Sequence, residues 1–283
     1  MLLPMKEILN RAETENYAVA APNVFTSLEV RAALDTAQAL QTPIILDIAY
    51  ESVADFRTLG VFAVQLAKEA CIPVAVNLDH GHYSKEHPNE IKDAIAAGFS
   101  AVMVDASDRP YDENVAITRE VAELAHKHGI SVEAEIGHVG KAQEYTLNEE
   151  FLTDPDVCAR FVRDTGVDCV AIAIGTAHGV YVGHKPFIDT ARLQAIHREV
   201  PVPLVLHGAS GSGDENLREV CRMGIRKVNI CVDLLDGAYR EVLKRDLSGN
   251  NIYHFWETVS EGWKQQLAEK IRLMGSEGKA KNY

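Results

Sequence analysis

Three histidines carry the most specific chemistry in this chain. His80, His178 and His207 each follow a short apolar run, and neutral imidazoles brought to one open position are what a catalytic zinc site requires. Asp105 and Glu135 belong to two further runs of the same kind. These acids can complete a metal shell, bind a second ion, or accept the imidazole N–H groups from behind; the plain alternative is a buried ionic network. Gly179 follows His178, and Gly208-Ala209-Ser210-Gly211 follows His207, so backbone without side-chain cover can reach phosphate oxygens beside the candidate ligands. Asn23, Asp79, His82, Ser107, Glu133 and Asn229 are the other polar groups in or just after such runs.

Residues so far apart in sequence need a scaffold that delivers strand ends to one rim. Eight apolar or β-branched runs predict strands at Tyr17–Ala21, Pro43–Asp47, Pro73–Leu78, Ala101–Asp105, Ser131–Ile136, Cys169–Ile174, Pro203–Leu206 and Lys227–Ile230. Segments with apolar spacing near 3.6 lie between them, among them Ser27–Leu40, Val115–His128 and Glu215–Met223. Runs such as Val170-Ala171-Ile172-Ala173-Ile174 are apolar at consecutive positions, as in parallel strands covered on both faces. A count of eight with even spacing, and no G-x-G-x-x-G turn after the first strand, favours closure over an open doubly wound sheet. The expected fold is an α/β, (β/α)8 TIM barrel forming one domain over 1–283. Additional C-terminal helices are expected at about Leu234–Lys244 and Ile252–Met274, before a polar tail at Gly275–Ala280. In such barrels active sites lie at the C-terminal ends of the strands, and phosphates commonly sit after strands seven and eight.

Composition narrows the partners. The chain has 283 residues, 28 Lys+Arg against 41 Asp+Glu and a formal charge of −13, with no basic stripe for nucleic acid or an anionic membrane. No run approaches the length of a membrane span, and no export signal is visible in Met1–Asn10. Five widely spaced cysteines, Cys71, Cys158, Cys169, Cys221 and Cys231, contain no C-x-x-C pair and read as reduced thiols of a cytoplasmic protein.

The motifs Leu78-Asp79-His80-Gly81, Val132-Glu133-Ala134-Glu135-Ile136-Gly137, Gly175-Thr176-Ala177-His178-Gly179, Leu206-His207-Gly208-Ala209-Ser210-Gly211 and Lys227-Val228-Asn229-Ile230 stand in order along the chain. Together they resemble the motif set of the class II, zinc-dependent aldolases, with fructose-bisphosphate, tagatose-bisphosphate and ketose 1-phosphate aldolases looking most similar. The resemblance runs from about Tyr17 to the Gly275–Ala280 tail. It implies reversible cleavage of a phosphorylated ketose to dihydroxyacetone phosphate and an aldehyde. Zn2+ would lie on His80, His178 and His207, with Asp105 and Glu135 at additional metal-associated positions suited to a second divalent or a monovalent cation. Asp79 would act as acid/base on the C4 hydroxyl, and Asn23 and Asn229 would be substrate contacts. The phosphate would lie against Gly179, Gly208, Ala209, Ser210, Cys231 and Val232. Such cleavage needs a base for the C4 hydroxyl proton and an electrophile for the enediolate left behind. A metal-free barrel aldolase would need a strand-end lysine for a Schiff base. The only lysine in the assigned strands, Lys227, is expected at the opposite rim or facing outward.

Several residues depart from the family pattern. Asn77 stands where a histidine is usual, Val232 replaces a hydroxyl residue, and Val182 replaces a lysine found in some members. The loop Gly140-Lys141-Ala142-Gln143-Glu144 makes Glu144 the candidate for proton exchange at C3. The stretch Asp47-Ile48-Ala49-Tyr50-Glu51 lacks Ser/Gly character, and a carboxylate there would repel a second phosphate. An aldehyde other than the usual triose phosphate is therefore expected, selected by Arg109, Lys185 or His82. Two other readings compete: a metal-dependent hydrolase, prompted by His80-Gly81-His82, and a non-catalytic subunit, prompted by Gln143 and Val232. A homodimer or homotetramer is expected, the helices bearing Trp256 and Trp263 serving either a subunit contact or barrel packing.

Overall fold

The computed structural model describes residues 1–49, 52–83, 90–142, 149–181 and 186–283. A helix, α1 (Met5–Glu15), precedes eight strand–helix pairs: β1 (Val19–Pro22), α2 (Ser27–Ala39), β2 (Ile44–Ala49), α3 (Phe56–Glu69), β3 (Val74–Gly81), α4 (Glu90–Ala96), β4 (Ala101–Val104), α5 (Tyr111–His126), β5 (Ser131–Ile136), α6 (Pro155–Thr165), β6 (Cys169–Ile172), α7 (Thr190–Glu199), β7 (Leu204–Leu206), α8 (Asp214–Arg222), β8 (Ile225–Ile230) and α9 (Val232–Lys244). A final long helix, α10 (Phe255–Met274), follows a 3₁₀ turn at Gly249–His254. All strand pairs are parallel, in the order β1-β8-β7-β6-β5-β4-β3-β2. The remaining seam closes where the Val24 N–H donates to the Asp47 carbonyl at 2.9 Å, beside a bridge between Asn23 and Asp47. The result is the expected TIM barrel with extra C-terminal helices.

Local chemistry explains the joints. Asp55, Asp154 and Asp189 each accept a backbone N–H at the start of α3, α6 and α7, Pro155 opens α6 without wasting a donor, and Gly166 ends it in the left-handed region. Along each strand the side chains alternate between two environments. Val74, Val76 and Leu78 of β3, and Val132 and Ala134 of β5, pack outward in the large core shared with the helices. Ala75, Ala101, Ala171 and Val205 point inward, where they meet Met5, Ile8 and Leu9 of α1. Small inward residues leave room that α1 fills as a plug at the N-terminal end of the barrel. The sequence reading did not assign that helix.

Strand limits moved by up to three residues, and one shift matters chemically. β8 begins at Ile225, so Lys227 lies inside the strand instead of at its start. The stretch expected as one helix over Ile252–Met274 divides into the 3₁₀ turn and α10. The two tryptophans also divide: Trp263 is 1% exposed in the core, whereas Trp256 is 66% exposed. The tail folds back on the barrel, with Gly278 N–H donating to the Leu40 carbonyl and Ala280 N–H to that of Gln41. Among the described residues no helix is long and apolar enough to cross a membrane.

Candidate metal and substrate site

Neighbouring residues on a strand face opposite ways, so Asp79 and His80 can share a site only if the backbone breaks alternation between them. It does. His80 has φ +51°, in the left-handed region that few residues other than glycine adopt, and the pairing of β3 with β4 slips between Leu78 and Gly81. That local turn brings the His80 ring beside those of His178, from the loop after β6, and His207, just beyond β7. The ring centroids are 4.9, 4.7 and 5.6 Å apart for the pairs His80–His178, His80–His207 and His178–His207.

The ring nitrogens are sorted by their outer partners. His80 Nδ1 lies 2.8 Å from Asp105 Oδ2, and His207 Nε2 lies 2.8 Å from Glu133 Oε1. Each carboxylate takes an N–H, which turns the other nitrogen, His80 Nε2 and His207 Nδ1, towards the shared space. Those two atoms are 3.0 Å apart, and His178 Nε2 is buried without a hydrogen-bond partner. Two lone pairs so close repel unless a proton or a metal cation lies between them, and nitrogens of a tetrahedral shell with bonds near 2.0–2.1 Å stand about 3.3 Å apart. One ligating atom from each of the three histidines falls within 4.8 Å of the others. The donor set therefore fits a divalent metal. Burial and the neighbouring charges of His80 and His207 push His178 down to about 3, keeping it a neutral ligand. Burial opposes charge on His80, but Asp79, Asp105 and Glu135 prevail and push its pKa up to about 10.

A second group, His80, Asp105 and Glu135, also brings ligating atoms within 4.8 Å. Glu135 Oε1 accepts the Val139 N–H at 2.9 Å, whereas Oε2 is buried without a partner. Burial, reinforced by Asp105, pushes Glu135 up to about 8, and a cation there would reverse that shift. Asp79 is held differently. Its Oδ2 accepts from the Asn23 side-chain amide at 2.8 Å and its Oδ1 from that of Asn229 at 3.2 Å. Burial alone would raise its pKa; the positive charge of His80, His207 and Lys227, with the Asn23 bond, reverses this and holds it ionised.

The loops after β6 and β7 are stapled to each other. Thr176 Oγ1 donates to the His207 carbonyl at 2.7 Å, while Tyr181 Oη accepts the Ala177 N–H at 2.6 Å and reaches the carbonyls of Ala177 and Gly208 at 2.9 and 3.3 Å. Gly208 has φ +64°, and a Cβ there would lie 2.5 Å from the Ala177 carbonyl oxygen. Only glycine lets these backbones approach so closely. Next to them α9 starts, where Ser210 Oγ accepts N–H groups of Cys231 at 3.2 Å and Asp233 at 3.3 Å. A cavity of about 930 Å³ opens over all of this, lined by Asn23, Asp79, His80, His178, Gly179, Gly208, Ala209, Ser210, Asn229, Cys231 and Val232. Its outer wall carries Phe25, Ser52, His138, Lys141 and Phe151.

The chain matches the family model for fructose-bisphosphate aldolase class-II over residues 3–279. It belongs to the class II fructose-bisphosphate aldolase family. A 6-phospho-5-dehydro-2-deoxy-D-gluconate aldolase of Bacillus velezensis is 35% identical over 98% of this chain and 96% of its own. A fructose-bisphosphate aldolase of Geobacillus stearothermophilus is 36% identical over 99% of both. The crystal structure of the YdjI aldolase from Escherichia coli K12 superimposes with a TM-score of 0.88, at 34% identity, covering 99% of this chain and 100% of that one. The protein is thus a class II aldolase, a lyase of carbon–carbon bonds.

Within this aldolase, Lys227 departs furthest from expectation. It is neither outward nor at the far rim: its ammonium is fully buried inside the barrel, 2.9 Å from both Asp47 Oδ2 and Glu133 Oε2 and 2.7 Å from Asn229 Oδ1. Burial would lower its pKa, but Asp47 and Glu133 raise it well above the usual range. A protonated amine with its donors engaged has no lone pair for a Schiff base. Asp47 likewise does not face a substrate; it lies in β2 with its Oδ1 accepting from the Asn77 amide at 3.0 Å. Asn77 thereby joins this interior layer. Arg109 is 58% exposed, pairs with Asp108 at 3.4 Å, and does not line the cavity. His82 lines the cavity but stands outside both groups of converging ligands. The Cys231 N–H expected for phosphate is taken by Ser210. Glu144, together with Tyr50, Glu51, Gln143, Val182 and Lys185, lies outside the described residues. His138 and Lys141 were missed by sequence reasoning, although Lys141 sits in the loop already singled out; Tyr181 was missed because nothing in its spacing announces a staple.

Proposed function

We propose that this aldolase is zinc-dependent and reversibly cleaves a ketose 1-phosphate or ketose 1,6-bisphosphate to dihydroxyacetone phosphate and an aldehyde. The observation that carries this reading is the convergence of three imidazoles beside an ionised, doubly hydrogen-bonded Asp79 at the floor of the cavity. Zinc held by His80 Nε2, His178 Nε2 and His207 Nδ1 supplies, when bound, a Lewis acid for the ketone. Asp105 and Glu135, beside His80, are the carboxylates that would hold a second divalent or a monovalent cation.

The chain's own groups perform the remaining steps. The phosphate rests against the backbone of Gly179, Gly208, Ala209 and Ser210 and the start of α9, where the helix dipole favours an anion. Asn23 and Asn229 aim Asp79, and Asn229 contacts the dihydroxyacetone phosphate portion. Asp79 takes the proton from the C4 hydroxyl; the C3–C4 electrons pass into an enediolate, and the aldehyde leaves. An acid then protonates C3, a role assigned to Glu144. In condensation Asp79 returns its proton to the new hydroxyl.

Removing Asp47 from the substrate face removes one reason to disfavour a second phosphate. His82, His138 and Lys141 at the cavity wall, with apolar Phe25 and Phe151, are the surfaces that meet the aldehyde portion. The test separates the two half-reactions. In deuterated water, the wild-type protein should exchange a C3 proton of dihydroxyacetone phosphate, and a chelator should stop it. Asp79→Asn should keep that exchange while cleavage of the best substrate, chosen from a panel of ketose 1-phosphates and bisphosphates, falls by about 10²–10⁴-fold. Absent exchange in metal-loaded wild type, or wild-type cleavage by Asp79→Asn, refutes the assignment.

A further inference from the structure

We infer that Lys227 is a positioning residue that fixes, from beneath the cavity, both the imidazole of His207 and the amide that aims Asp79. The inference rests on the metal-dependent reading of the site above. One ammonium is engaged in three directions: it donates to Asn229 Oδ1 at 2.7 Å and forms ion pairs with Glu133 Oε2 and Asp47 Oδ2, each at 2.9 Å. All three side chains of the ion pairs, Lys227, Asp47 and Glu133, are fully buried.

The first arm runs to the metal site. With Oε2 tied to Lys227, Glu133 presents Oε1 to His207 Nε2 at 2.8 Å, which leaves His207 Nδ1 facing His80 Nε2. A carboxylate without the ammonium is free to rotate, and the imidazole then loses the partner that selects its tautomer. The second arm runs to the base. An asparagine amide has two nearly equivalent orientations, and the bond from Lys227 to Asn229 Oδ1 selects one of them from the side away from Asp79. With the oxygen held below, Nδ2 faces Asp79 Oδ1 at 3.2 Å. Flipped, the amide would set its oxygen against the carboxylate. Asp47 is the third partner: Glu133 is one negative charge next to the lysine, and Asp47 is the other, fixed in turn by Asn77.

A lysine that merely filled space could be replaced by a neutral chain of equal length. Lys227→Met is that replacement, and Asp47→Asn/Lys227→Met removes one charge of each sign in case the single variant does not fold. Asp47→Asn alone keeps both arms and serves as the reference. Metal affinity is read by chelator competition with Zn2+, and the His207 ring nitrogens by NMR of the metal-loaded protein. The lysine-lacking chains should bind Zn2+ about 10–100-fold more weakly, lose the Nε2–H signature of His207, and lose kcat more than they raise KM. Asp47→Asn should stay within a few-fold of wild type in metal affinity. Wild-type affinity and ring signals in a folded lysine-lacking chain overturn the inference. So does an equal loss in Asp47→Asn, or failure of both lysine-lacking chains to fold while Asp47→Asn folds, since the residue then serves the barrel and not the site. If wild type itself binds no Zn2+ and exchanges no C3 proton, it is the metal-dependent reading that has failed.

Discussion

A single methyl group at Gly208 should disable the site without touching any proposed ligand. A Cβ built there would lie 2.5, 2.6 and 2.9 Å from the O, C and N atoms of Ala177, all backbone and unable to rotate away. Restoring ordinary contact at 3.4 Å demands that Ala177 or Gly208 retreat by about 0.9 Å. Ala177 precedes His178 and Gly208 follows His207, so most of that movement passes to two of the three imidazoles. Metal sites tolerate ligand displacements of about 0.2 Å. The backbone adds its own resistance, because φ +64° costs an alanine about 1–2 kcal/mol and overpacking typically about 1–3 kcal/mol. Gly208→Ala should therefore lose about 2–5 kcal/mol of stability and bind Zn2+ at least tenfold more weakly. Thermal unfolding of the metal-free protein reads the first effect, and chelator competition the second. Unchanged Zn2+ affinity in a stable Gly208→Ala protein would show that the loops after β6 and β7 move independently, and would refute the reasoning.

Tyr181→Phe removes the hydroxyl that joins the Ala177 and Gly208 backbones; it should raise KM for the phosphorylated ketose about tenfold, with kcat much less affected, and a steady-state comparison checks this. Thiol labelling gives an independent reading of the fold. Burial pushes Cys158 and Cys221 up to about 12 and Cys231 up to about 11, so at pH 8 all three remain protonated and slow, and exposed Cys71 should react first with a disulfide reagent. Dihydroxyacetone phosphate should further protect Cys231, which lines the cavity, and leave the rate at Cys71 unchanged; equal protection of both thiols would contradict the proposed phosphate position.

The barrel was legible because its grammar is repetitive. Eight apolar runs separated by helical spacing survive errors of up to three residues at an end, and the polar residues beyond those runs mark the reactive rim. What escaped was the side on which a residue falls. Lys227 and Asn229 are two apart, and the strand period of two puts both on one face; bringing Asn229 to the site while placing Lys227 at the opposite rim or facing outward ignored that parity. The same rule joins Asp47 to Ile45 and Glu133 to Glu135. His80 is the converse case. It reaches the side of Asp79 only through a left-handed backbone, which its residue type does not reveal. Tyr181 and the α1 plug were hidden for another reason: their contacts join segments whose meeting depends on the closed barrel.

The buried layer formed by Asp47, Asn77, Glu133 and Lys227 also divides how ionic strength acts on this enzyme. Mobile ions screen charges they can surround, over about 8–10 Å near physiological salt, but they do not enter a layer sealed by α1 below and by the imidazoles above. Added salt therefore weakens the long-range repulsion between the proposed phosphorylated substrate and a protein of charge −13, and it leaves the internal ion pairs as they are. Capture of substrate belongs to the solvent-exposed field, and the alignment of base and ligands to a fixed one, so the two respond separately to the medium.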